Sequence, residues 1–441
     1  MIRTVVNRRP GVPLATRRAS SGELTSVEGN LALNATRLAT LSLPKLSRVG
    51  GSLVVGSNSL LTALALPALT SVGGDLTIVN DRQLQTVDAP LEQVGGAVVV
   101  RGNSQLARLS WALQTAPRSL NVISNGLTSF TLTISGAEQR ALDVDVLDNP
   151  QLTSIDLRAA HFGRLALSGD AVTGVAVHAA DVDSMDVSGG ALEHLTLGST
   201  PDQPFRVGDL SLSGPVSTID AGAQRVTVSR FCGLRGTQLT DLRAFRSFNF
   251  LRADGNTALT EIQFVPLRGF DISNNPVLTS ITSLDTSLHG LVQIEHNPVL
   301  TQVLLHDVTD IDGELDVRSN PKLTSLRAPQ LANISSFLRI DNNPLLAELD
   351  LSALRRIEFQ LDLFGTALTT LALPNLVTGG TLFIEGNHAL AHLVLPALRQ
   401  VHILEITDNS HLPACEVEAL FTGIVGDLRQ ERNDTTATCT P

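Results

Sequence analysis

A unit of the form L-x-I-x-x-N-x-x-L-x-x-L-x-L-P-x-L-x-x-V-G-G recurs along this chain, and a unit of roughly 22 residues is too short to close a core alone. It must stack on its neighbours, so the period itself predicts a solenoid. The unit is clearest at Leu53-Val-Val-Gly-Ser-Asn58, followed by Leu61, Leu64, Leu66, Pro67, Leu69, Val72 and Gly73-Gly74. It returns around Asn103, Asn149, Asn297, Asn320, Asn343, Asn387 and Asn409. Asn297, Asn320 and Asn343 are 23 residues apart, and Asn387 and Asn409 are 22 apart.

Within each unit the apolar residues fall two apart, as in Leu315-Asp-Val317 and Leu371-Ala-Leu373. That alternation over so few residues reads as half-buried strands. Between them stand Asn-Pro, Pro and Gly-Gly, which make turns and break helices. The expected fold is all-β: a right-handed parallel β-solenoid of about 18 coils, each of roughly 20–24 residues. Composition agrees, because 43% of the chain is hydrophobic but only 3% is aromatic, with one Trp (Trp111) and no Tyr. The core must be aliphatic ladders. The recurrent Asn residues are read as structural: an inward amide can satisfy turn groups that cost about 1–3 kcal/mol each when buried unpaired. Residues 1–22 read as a disordered lead-in, 23–412 as one continuous solenoid and 413–441 as a C-terminal cap. Coils in 111–250 diverge, with Thr200–Val207 and Phe231–Phe250 read as irregular insertions.

A net charge of −11 with no Lys/Arg stripe argues against nucleic acid as a partner. No apolar run reaches the roughly 18 residues a membrane helix needs. Met1–Ser21 carries several Arg residues but no apolar stretch of the kind a signal peptide requires.

The phrase carried by Leu53, Val55, Asn58, Leu61, Leu64, Leu66, Pro67, Leu69, Val72 and Gly74 resembles the receptor L-domain, the leucine-rich-repeat-like solenoid of insulin- and EGF-receptor ectodomains. It is also similar to fungal cell-wall proteins and to bacterial secreted surface repeats. Leu382, Ile384, Asn387, Leu390, Leu393, Leu395, Pro396 and Leu398 repeat the match, which covers about residues 30–412. The resemblance implies a fold more than a function, since such proteins range from receptors to wall components. Receptor L-domains are flanked by Cys-rich segments and this chain is not, so a receptor role does not carry over.

Near the end, Leu412-Pro-Ala-Cys415-Glu-Val-Glu-Ala-Leu420 shifts to a helical pattern, with Pro413 suited to its first turn. A capping helix pinned by a Cys415–Cys439 disulfide is expected, as in secreted repeat proteins, and would imply an oxidising compartment. Two separate thiols are the alternative. Cys232 reads as a small buried apolar residue.

Stacking the coils in register gives two outward columns: Asp271, Gln293, Asp316, Arg339, Asp362, Phe383, Glu405, and Ser273, Glu295, Arg318, Asp341, Phe364, Glu385, Thr407. Arg between acids on successive coils suits a charge-matched solvent ladder, with cross-strand pairs worth about 0.2–1 kcal/mol. The functional reading is a polar face for a glycan or protein, with Asp316, Arg339, Asp362, Arg318 and Asp341 as contacts and Phe364 and Phe383 as the apolar element.

Acids also group at Asp143, Asp145 and Asp148, at Asp181, Asp183 and Asp186, and at His306, Asp307, Asp310 and Asp312. Paired carboxylates on one face would suit a polysaccharide-cleaving enzyme, but these groups are expected on coils far apart. Calcium could use Asp307, Asp310 and Asp312 as oxygen ligands, though their spacing matches no known loop. No zinc pairing, phosphate loop or nucleophile–base arrangement is present, so neither metal nor cofactor is expected. Asn34-Ala-Thr, Asn333-Ile-Ser and Asn433-Asp-Thr match the glycosylation triplet.

The expectation is therefore a non-catalytic, monomeric, secreted or cell-surface repeat protein. It binds an extracellular protein or polysaccharide along one face. A polysaccharide-active β-helix enzyme and a purely structural envelope protein are the alternatives.

Overall fold

The computed structural model describes residues 19–20, 23–136, 140–198, 204–223, 225–264, 268–284, 286–437 and 439. Of the lead-in, only Ala19–Ser20 is described, as a short strand beside Leu41–Ser42; the rest lies outside the described residues. The chain forms two compact units, Met1–Thr227 and Val228–Pro441. Both are β-solenoids of stacked parallel coils, as the repeat predicts.

In the first unit one long parallel sheet runs from Leu31–Asn34 through Leu53–Gly56, Leu76–Val79, Val98–Arg101, Ser119–Ile123, Leu142–Leu147, His161–Ser168 and Asp181–Ser188 to Phe205–Ser213. Behind it lie a narrow sheet of three-residue strands (Thr40–Ser42, Ala63–Ala65, Thr86–Asp88) and then a wider one from Arg108–Leu113 to Thr218–Asp220. Leu53, Val55, Leu61, Leu64, Leu66, Leu69 and Val72 are all buried, so each apolar letter of the repeat fills the core.

The second unit repeats the plan. Its long sheet runs from Phe250–Asp254 through Gly269–Ser273, Ser287–Glu295, Asp310–Arg318, Phe337–Asn343, Arg356–Thr366, Thr378–Glu385 and Gln400–Thr407 to Val425–Glu431. Phe231, expected in an irregular segment, lies instead within the strand Val226–Arg235. Ala414–Phe421 is the short helix expected near the end, with Pro413 as its N-cap. Cys415 and Cys439 are joined by a disulfide, and Cys232 is a buried free thiol.

The Asn letter builds a hydrogen-bonded ladder inside the corner. In the second unit Asn297 N–H donates to Asn320 Oδ1 and Asn320 N–H to Asn343 Oδ1, each at 3.0 Å. Each amide nitrogen reaches back a coil: Asn320 Nδ2 donates to Ile294 O at 3.0 Å and to its own strand at Arg318 O, 2.8 Å. Asn256 and Asn275 precede these rungs, and Asn387, Asn409 and Asn433 form a further run that starts from Thr366. Asn433 is therefore buried, its Nδ2 bonded to Ile406 O, and is no surface glycosylation acceptor. In the first unit the rungs are Thr36, Asn58, Asp81, Asn103, Asn125 and Asn149.

Two other letters have equally direct causes. A Thr after the mid-repeat Leu caps the next corner: Thr301 Oγ1 donates to Thr279 O at 3.0 Å and Thr324 Oγ1 to Thr301 O at 3.1 Å. At the Val-Gly-Gly corner successive backbones touch. A Cβ on Gly73 would stand 2.2 Å from Gly50 O, so no other residue fits without moving the coils apart.

Candidate functional site

The outward columns of the second unit's long sheet stand in the register that the repeat spacing predicts. Asp316 pairs with Arg339, Arg339 with Asp362 and Asp362 with Phe383; alongside, Arg318 pairs with Asp341 and Asp341 with Phe364. All seven candidate contact residues are thus brought onto one face.

They do not share one role. Asp316 is only 4% exposed, with Arg339 Nη1 at 3.3 Å and Arg318 Nε at 2.7 Å. The Arg318 contact is close in distance but not aligned as a hydrogen bond. Burial pushes the Asp316 carboxyl above its ordinary value, against the pull of both guanidinium groups. Burial also works against the Arg339 charge, yet Asp316 and Asp362 together hold that guanidinium above its usual range. Arg339 Nε reaches Asp362 at 3.3 Å, and Gln360 Nε2 donates to Asp362 at 2.7 Å. Arg318 turns to Asp316 and Glu295, not to Asp341. Asp316 is accordingly a foundation of the face, too covered to meet a ligand. Arg339, Asp362 and Asp341 keep part of their surface in solvent.

Aromatic rings flank this network. Phe364 is 46% exposed and lies across Gly386, where a Cβ would come within 2.6 Å of its ring. Phe383, in the next coil, is half-buried. On the other side is a pair absent from the sequence-based candidates: Phe359, 61% exposed, stacks on Phe337 with centroids 6.0 Å apart. Arg339 sits 5.9 Å from the Phe337 centroid. The pair was hidden because the register shifts between Ile357 and Gln360, which breaks the alternation that places outward residues.

The remaining acids are differently placed. Asp310 accepts from Thr309 and Asn333, and Asp312 from Ser335 with His289 at 3.6 Å. Among the described residues no group of three His, Cys, Asp or Glu side chains is arranged to hold a metal ion. In the first unit two acid groups expected far apart are neighbours. Asp145 and Asp186 align on either side of Ala166, two strand spacings or about 10 Å apart. Arg164 Nη1 pairs with Asp145 at 2.7 Å. Beside these strands, where Gly169, Gly189 and Gly214 occupy the corner, lies an open groove of about 570 Å³ edged by Ser168, Ser188 and Ser213.

No family model matches the sequence, and no solved structure matches the fold. Among the described residues no helix is long and apolar enough to cross a membrane.

Proposed function

We propose that this chain is a non-catalytic, exported binding protein that holds an extended polysaccharide on the long-sheet face between Phe359 and Phe364. One observation carries this reading: two exposed apolar rings, Phe359 and Phe364, stand on one strand with hydrogen-bonding groups between them. By the roughly 3.3 Å rise per residue, the four regular steps from Gln360 to Phe364 span about 13 Å, with Phe359 just before them at the register shift. A protein partner favours the reverse pattern, an apolar centre ringed by polar groups. A sugar chain offers apolar ring faces and hydroxyl edges together, which suits rings spaced by Gln360, Asp362 and Arg339. The charges there are paired among themselves, so a neutral polymer fits better than a polyanion. The receptor L-domain-like repeat is in keeping with an extracellular setting, as is the disulfide.

Affinity electrophoresis through gels containing soluble β-glucan, xylan or mannan tests the site. Phe359→Ala and Phe364→Ala should each weaken retention about tenfold, or 1.4 kcal/mol, while Leu60→Ala in the first unit leaves it unchanged. No retention on any of the three, or equal retention by all variants, would refute a polysaccharide site. Export has a separate check. Unreduced, denatured protein should expose one reactive thiol, that of Cys232; three would remove the support for secretion.

A catalytic second reading rests on Asp145 and Asp186, whose spacing approaches the roughly 6.5–9.5 Å of inverting glycosidases. Reducing-end release that survives Asp186→Asn would dismiss it.

A further inference from the structure

One rung of the first unit's ladder is an acid. Asp81 is fully buried, its Oδ1 accepts the Asn58 N–H at 2.6 Å, and its own N–H donates to Asn103 Oδ1 at 3.0 Å. In both bonds it replaces an asparagine faithfully. Its second oxygen is the anomaly, for Oδ2 is buried without a hydrogen-bond partner.

The other rungs show what belongs in that place. Each asparagine sends its Nδ2 to the carbonyl three residues before the preceding rung: Asn103 to Ile78, Asn125 to Val100 and Asn149 to Val122, at 2.9–3.0 Å. The corresponding carbonyl for Asp81 is that of Val55. An ionised carboxylate would set one acceptor against another there, at the cost of a buried unpaired charge. A proton on Oδ2 turns the clash into the bond an amide would make.

We propose that Asp81 is held as the neutral acid in the folded protein, its Oδ2–H donating to the Val55 carbonyl, so that the coils around it carry a proton-operated lock. The rungs facing it from the coils before and after, Asn58 and Asn103, are neutral, and the charged residues of the adjoining segments, Asp75, Arg82, Asp88 and Arg101, are exposed to solvent. Among the described residues, the hydrogen-bonding groups that act on the Asp81 carboxyl are the neutral amides of Asn58, and no ion pair stabilises the anion. Burial pushes the carboxyl above its ordinary value, outweighing the Asn58 amides that favour the charged form.

The sign of the pH effect follows. Above the ordinary aspartate value of about 3.9, the unfolded chain releases a proton that the folded chain keeps. Stability is therefore complete below that value and falls as pH rises, until Asp81 ionises in the fold. Through that window the unfolding equilibrium constant rises tenfold per pH unit. Asp81→Asn supplies the amide permanently and removes the dependence.

The test compares full-length wild type with Asp81→Asn. Hydrogen exchange over residues 53–103, corrected for intrinsic rates, is measured in steps upward from about pH 4. The ratio of opening constants, wild type over variant, should climb about tenfold per unit just above that pH. An infrared band of a protonated carboxyl, missing from the variant, should persist in wild type beyond about pH 5. Parallel exchange profiles would overturn the proposal, as would a band that titrates with ordinary carboxylates. Asp81→Ala guards against a purely steric effect: it should open more readily than Asp81→Asn at every pH, with a profile parallel to that variant's.

Discussion

Asn320→Ala should destabilise the second unit by about 3–5 kcal/mol, measured by urea unfolding and by hydrogen exchange across residues 294–343. The side chain makes four bonds: Oδ1 accepts from the backbone and side chain of Asn297, and Nδ2 donates to Ile294 O and Arg318 O. Alanine removes them all in a site with no solvent exposure, leaving the Asn297 N–H without its acceptor and Ile294 O without the amide, while Arg318 O keeps the His296 N–H at 3.2 Å. Each buried group left unpaired costs about 1–3 kcal/mol, and water entering the vacated space recovers part of it. Gln302→Ala, at an exposed position of the neighbouring sheet, serves as control and should stay within about 0.5 kcal/mol. An Asn320→Ala effect as small as the control's would mean the ladder does not hold the coils together. Asn320→Asp probes the same geometry differently, since its second oxygen would face Ile294 O as that of Asp81 faces Val55 O. It should acquire the pH dependence that Asp81→Asn loses.

The features legible in the amino-acid sequence are those that the period transmits. A spacing of 23 residues puts Asp316, Arg339 and Asp362 in one column, because equal coils stacked in register must align equivalent positions. The same regularity marks the core Leu positions and the Asn turns. Legibility fails wherever coil length changes. Asn256 and Asn275 are 19 residues apart and Asn256 has no Pro after it, so their kinship with Asn297 is obscured. Asp81 escapes because an acid after Asn80 looks like a solvated turn; only the backbone shows Asn80 in the left-handed conformation and Asp81 in the rung. Asn433 resembles a surface triplet for the same reason. At the candidate site the charged column is legible and its depth is not. That Asp316 is covered while Phe359 is bare depends on side-chain packing and a shift of register, neither of which leaves a periodic trace.

Trp111→Ala should cost the first unit about 3–5 kcal/mol, the range for emptying a large aromatic site in a core. Trp111 is only 4% exposed and lies on Arg108–Leu113, where the second sheet widens from the three-residue strands at Ala63–Ala65 and Thr86–Asp88 to six-residue strands. Successive coils there differ in outline, so the aliphatic ladders cannot simply continue. The indole makes up the difference. The residual void it shares with Leu66, Leu91 and Ala89 is only about 10 Å³, so the indole nearly fills its site and its removal opens a cavity the size of the ring. Leu132 follows in register on the next strand and would lose its neighbour. Trp111→Phe keeps most of the volume and should lose clearly less, which separates cavity formation from loss of the indole N–H. The check is urea unfolding followed by circular dichroism, since both variants remove the chain's sole tryptophan. In wild type that tryptophan supplies a fluorescence signal from the first unit alone. Equal losses for alanine and phenylalanine would show that the indole nitrogen, and not the packing of unequal coils, is what this position requires.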